Sequence, residues 1–83
     1  MIVDYIDAHK FSSNHRKQLM NDSLCGCFYC LEVFSPSEIN EWVDRDSTAI
    51  CPHCNIDSII GEGCGYPINK TFLSRMNEYW FYI

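Results

Sequence analysis

The sequence lacks any long apolar run. Its longest, Tyr79–Ile83 and Cys27–Leu31, fall far short of the ~20 residues that cross a bilayer. It also lacks the marks of an address or an anchor. In MIVDYIDAHK, Asp4 and Asp7 interrupt what would have to be a basic stretch followed by an apolar core. No N-terminal Met-Gly and no C-terminal Cys-a-a-X pattern is present. The expectation is a cytoplasmic protein. Glycine and proline are few, at 4 and 3, and there are no repeats or low-complexity tracts. With 47% apolar residues, disordered and collagen-like classes are excluded.

Basic residues are scarce as well. Six Lys and Arg stand against eleven Asp and Glu, a net charge of −5. Four thiolates holding one divalent zinc would lower it further, to about −7. Non-specific grip on nucleic acid needs Lys and Arg, so the chain as a whole is poorly suited to phosphate backbones. The basic residues that do cluster, Lys10, Arg16 and Lys17, form a possible patch; the plainer reading is a solvated helix face.

What is abundant is cysteine: six in 83 residues, at 25, 27, 30, 51, 54 and 64. A chain of this size buries only about 60% of its unfolded surface and usually needs a staple. In a reducing compartment, cysteines read first as metal ligands. Cys27-Phe-Tyr-Cys30 and Cys51-Pro-His-Cys54 make two C-x2-C pairs at zinc-site separation. Each tight turn brings two sulfurs to one ion, and two turns complete a tetrahedron. Pro52 pre-sets one turn, and Asn55 follows where a left-handed residue is useful. The sequence therefore predicts one structural Zn²⁺ on Cys27, Cys30, Cys51 and Cys54. Four sulfurs leave no open position for water, so the site is structural, not catalytic. Cys25 is a looser alternative to Cys27. His53 reads as exposed, and Cys64 as a small packed side chain. A redox C-x-x-C would want a βαβ context that is not visible.

The rest is organised around these pairs. Ser12 or Ser13 can cap a helix to about Asn21 or Asp22. Leu31–Phe34 suggests a short strand. Ser35-Pro36-Ser37-Glu38 is a capping-box pattern, with Phe34 and Ile39 as hydrophobic staple, and predicts a helix to about Asp44. Thr48–Ile50 and Ile56–Ile60 read as strands, the second stopped by Gly61. Asn69 caps a last helix from Lys70 to about Phe81, with Leu73, Met76, Trp80 and Ile83 on one stripe. The expected fold is α+β: a small zinc ribbon with about three flanking helices, one domain over 1–83. A treble clef, in which the second pair opens a helix, is the alternative. Tyr79, Trp80, Phe81 and Tyr82 are more aromatic surface than so small a domain easily buries, which suggests a partner or dimer surface.

Taken together, Cys27–Leu31, Glu38–Trp42, Thr48–Ser58, Phe72–Met76 and Trp80–Phe81 resemble a group of small bacterial cytoplasmic proteins with a four-cysteine zinc-ribbon-like domain. The resemblance implies a metal site at 27, 30, 51 and 54, and no particular activity. Asn55 stands where that group suggests Gly. The favoured function is a non-enzymatic, zinc-stabilised interaction module binding a protein or a second copy, for instance an immunity or regulatory protein. A nucleic-acid-binding zinc ribbon, which would have to use Lys10, Arg16 and Lys17 with Lys70 and Arg75, is the alternative. An enzyme built on Asn14, His15 or Cys64 is a distant third, and neither a small-molecule substrate nor a membrane is expected.

Overall fold

Each cysteine pair sits in a tight turn, and the elements of the fold serve to bring those two turns together. The computed structural model describes residues 4–81. They contain helices α1 (Asp4–Asp7), α2 (Arg16–Met20) and α3 (Lys70–Phe81). Short strands are β1 (Cys25–Cys27), β2 (Val33–Phe34), β3 (Trp42–Val43), β4 (Thr48–Ala49) and β5 (Ile59–Gly61). Single 3₁₀ turns cover Ala8–Phe11, Pro36–Glu38 and Glu62–Cys64. The class is α+β.

β1 is the centre of an antiparallel sheet ordered β2-β1-β5, with Cys25 opposite Phe34 on one side and Gly61 on the other. β3 and β4 form a separate antiparallel hairpin. Side chains alternate across a strand, and here the alternation divides the core. Cys27 and Ile59 enter one cluster with Leu19, Phe34, Ala49 and Cys51. Their chain neighbours Phe28 and Ile60 enter the other, with Ala8, Phe72, Leu73 and Met76. The sheet thus has the metal-side cluster on one face and α3 on the other.

α3 has the predicted bounds. Asn69 Oδ1 accepts the Phe72 N–H at 2.8 Å, and Leu73 and Met76 are fully buried. The N-terminal helix is shorter than predicted. It starts at Arg16, because its first free N–H groups, those of His15 and Arg16, are taken by the Ser47 carbonyl at 2.9 and 3.0 Å. The cap comes from another segment, not from Ser12 or Ser13. The helical turns at 4–11 had no capping signal and were not expected.

The helix predicted from Ser35 to Asp44 is not formed. Its cap is real: Ser35 Oγ accepts the Ser37 N–H, and Phe34 and Ile39 share one cluster. Propagation fails after a single 3₁₀ turn. Ile39 leaves it extended (φ −74°, ψ 124°), and residues 42–43 pair with 48–49 instead. Strand pairing outweighs the cap because the chain must reverse here to carry Cys51 back to Cys30. The reversal uses three successive left-handed residues, Asp44, Arg45 and Asp46 (φ 54°, 59° and 64°). The last strand is also displaced. β5 begins at Ile59, not Ile56, and includes Gly61. A Cβ at Gly61 would press on Asp22 and on Leu19 Cδ2, so close approach, not termination, explains this glycine.

Candidate metal centre

The two C-x2-C turns share one hydrogen-bond pattern. In the first, the Leu31 N–H donates to the Cys27 carbonyl and the Cys27 N–H to Glu32 O, at 2.9 and 3.0 Å. In the second, the Asn55 N–H donates to Cys51 O and the Cys51 N–H to Ile56 O, both at 2.9 Å. The residue closing each turn is left-handed: Leu31 at φ 67°, Asn55 at φ 64°. Asn accepts that conformation readily, whereas a leucine there is strained by about 1–2 kcal/mol.

The turns face each other. The Sγ atoms of Cys27, Cys30, Cys51 and Cys54 all lie within 4.8 Å of one another. Across the turns, Cys27 is 3.6 Å from Cys54 and Cys30 is 3.7 Å from Cys51. A tetrahedron with metal–sulfur bonds near 2.3 Å has edges of about 3.8 Å. A disulfide would bring two sulfurs to ~2.05 Å. The spacing therefore fits four separate ligands around an ion, and all six cysteines are free.

The electrostatics point the same way. Burial alone would raise the Cys27 thiol's pKa. Ser58 Oγ at 3.0 Å, the Cys30 and Tyr29 N–H groups at 3.5 and 3.3 Å, and Cys54 together outweigh burial and lower it. Cys30 moves the other way, to about 11, through burial and the neighbouring Cys27 charge. Burial raises Cys54 too. One sulfur is thus prepared as thiolate. Cys30 and Cys54 resist ionising beside it, and a cation would release their protons. The His53 N–H donates to Cys51 Sγ at 3.4 Å.

The remaining candidates are placed elsewhere. Cys25 is wholly buried and donates to the Phe34 carbonyl at 3.4 Å; burial pushes its thiol up to about 12. It is packing, not a substitute for Cys27. Cys64 is buried, its sulfur accepting the Tyr66 N–H. The His53 ring is exposed, 3.3 Å from Glu38 and edge-on to Phe34. His15 is buried, and both ring nitrogens are used. Nδ1–H donates to Phe11 O at 2.7 Å, and Nε2 accepts the Ala49 N–H at 3.0 Å. That tautomer ties the N-terminal segment to β4.

The three basic residues have separate surroundings. Lys10 pairs with Asp7 at 3.2 Å. The Arg16 guanidinium lies over the Trp42 ring at 4.6 Å and donates to Asp46 O. Lys17 is exposed on α2. Of the aromatic residues near the end, Trp80 is half-buried. Its ring packs on His9 with centroids 4.0 Å apart, and its Nε1–H donates to Tyr5 O. Tyr79 and Phe81 are 36% and 43% exposed, and Phe81 meets Tyr29 edge to face. Tyr82 lies outside the described residues. Sequence reasoning missed the roles of Ser58, Leu31 and His15: it reads Leu31 and Ser58 only as parts of strands and His15 only as a distant catalytic candidate, and no local pattern records the contacts they make.

Among the described residues, no helix is long and apolar enough to cross a membrane. No protein-family model, curated protein or solved structure matched the chain.

Proposed function

We propose that this chain is a zinc-stabilised, non-enzymatic module whose output is binding to another protein. The observation that carries the reading is the set of four sulfurs at tetrahedral spacing. Zinc suits it because an all-thiolate tetrahedral site favours Zn²⁺ among common ions. Two opposed C-x2-C turns fed by short antiparallel strands support a zinc-ribbon reading. After Cys54 the chain runs on to β5, which disfavours the treble clef. On the same proposal the chain is a cytoplasmic relative of the bacterial group it resembles. A saturated sulfur shell gives no place to activate water, so binding is the expected role. A protein partner is preferred to nucleic acid because the net charge is −5, and two of the three clustered basic residues, Lys10 and Arg16, are already engaged within the chain.

Native mass spectrometry of protein purified without chelator tests the metal. One zinc per chain, lost together with the fold on chelation, is expected. Metal-free protein lighter by pairs of hydrogens would mean disulfides and end the reading. A titration with random-sequence DNA and RNA at low salt tests the partner class. A salt-dependent shift would replace protein with nucleic acid.

A further inference from the structure

A groove runs along α3 where the helix faces the first cysteine turn. It consists of a cavity of about 550 Å³ beside Lys70, Thr71, Ser74, Arg75 and Glu78, and one of about 450 Å³ between Tyr29, Cys30, Asn77 and Phe81. Leu31 lines both and joins them. The two ends differ chemically. At one, the Tyr29 and Phe81 rings meet edge to face with centroids 5.0 Å apart and stay 47% and 43% exposed. At the other are two cations and one carboxylate, Lys70 and Arg75 with Glu78 on the same wall, so this end stays positive by one charge. Among the described residues, neither Lys70 nor Arg75 has a carboxylate within ion-pair distance. On a chain of net charge −5 these two sit together on one groove.

The residue at the junction is Leu31, one of the two turn-closing left-handed residues. Its counterpart Asn55 tolerates that conformation, and Leu31 does not. Strain of this kind persists where the side chain is needed. Here the side chain packs in part against the α3 cluster and leaves the rest exposed on the groove floor.

Resting on the interaction-module reading, we propose that this groove docks an extended segment of a partner protein: one apolar side chain with carboxylates following. The helix rise sets the spacing. Lys70 is ~16 Å from Phe81 along the axis and only about 20° round from it, about five residues of extended chain; Arg75 is ~9 Å along the axis but about 120° round, which sets its head a comparable distance away. The apolar side chain lies between Tyr29 and Phe81, and the carboxylates meet Arg75 and Lys70. A basic segment would leave those cations unmatched.

Selection from a phage-displayed library of random twelve-residue peptides, on the zinc-loaded chain, tests this. Enriched peptides should carry an aliphatic or aromatic residue about five positions from Asp or Glu. Fluorescence polarisation of those peptides should show roughly tenfold weaker binding to Arg75→Glu, and weaker binding at high salt. Leu31→Asn should lose binding while its Tm stays near that of the parent, since relief of the strain offsets the packing lost against the α3 cluster. No enrichment, a basic consensus, or unchanged affinity for Arg75→Glu overturns the proposal. So does unchanged peptide affinity for Leu31→Asn, which would make Leu31 a packing residue only. A chain that holds zinc and ignores nucleic acid, yet selects no peptide, would keep the module reading and lose the groove.

Discussion

At the scale of single residues, the left-handed closers of the two turns make a controlled pair. Asn55 at φ 64° suits Asn or Gly but not a β-branched side chain. Asn55→Gly should leave stability within about 0.5 kcal/mol, and Asn55→Val should lower it by about 1–2 kcal/mol, measured by denaturant unfolding of the zinc-loaded chain. His15 gives a pH-dependent effect. Burial lowers its pKa from the ordinary 6.5. As the pH falls, the unfolded chain therefore takes up this proton first. The stability His15 contributes is complete above about pH 6.5 and drains away as the pH drops toward the folded-state pKa. Acid also protonates thiolates and loosens metal, so the histidine is isolated by difference. His15→Phe strands the Ala49 N–H and should cost about 1–3 kcal/mol at pH 7.5. The gap between variant and parent should narrow by pH 5.5. A gap independent of pH would remove this role for the ring.

At the scale of elements, close packing of the sheet can be tested at its centre. A Cβ on Gly26 would lie 2.7 Å from Leu73 Cδ1 and 3.1 Å from Ile68 Cγ2. Gly26→Ala should force α3 off the sheet and cost about 1–3 kcal/mol in a thermal or denaturant melt. Elements were legible in the sequence to different degrees, for physical reasons. α3 was clear because its cap, its apolar spacing and its face all agree. The metal ligands were clear because a C-x2-C turn is specified within four residues. Residues 35–44 misled because a good cap nucleates but does not propagate. Three residues later the hairpin with Thr48–Ala49 claims the backbone, and no local pattern records that demand. Asp44-Arg45-Asp46 carried no Gly or Asn to announce three left-handed residues. The cap of α2 was invisible for the same reason: Ser47, which accepts its free N–H groups, is about thirty residues away.

At the scale of the whole molecule, the proposed zinc would make metal binding and folding one equilibrium. The described strands are only two or three residues long, and isolated they would not persist. Zinc on these four thiolates would contribute about 10–16 kcal/mol, against the 5–15 kcal/mol that holds a typical domain. Titration with a strong chelator should abolish near-ultraviolet dichroism, and added zinc should restore it. Cys30→Ser should unfold the chain far more than Cys64→Ser, since only the first removes a ligand. Equal effects of the two would argue that buried thiols, and not a metal, hold the turns together. Cobalt reconstitution should give the thiolate-to-metal absorption of a tetrahedral all-sulfur site.

The division of the core by the sheet also distributes the two tryptophans. Trp42 packs against the metal-side cluster under Arg16, and Trp80 against the α3 cluster beside His9. Each indole's emission therefore reports on one half of the core. With Trp42→Phe and Trp80→Phe made separately, the remaining indole follows its own cluster as zinc is withdrawn. If both emissions change at one zinc concentration, the sheet transmits the loss of the ion across its full thickness. If Trp80 holds its signal after Trp42 has lost its own, α3 and the N-terminal turns form a clasp that outlives the metal centre.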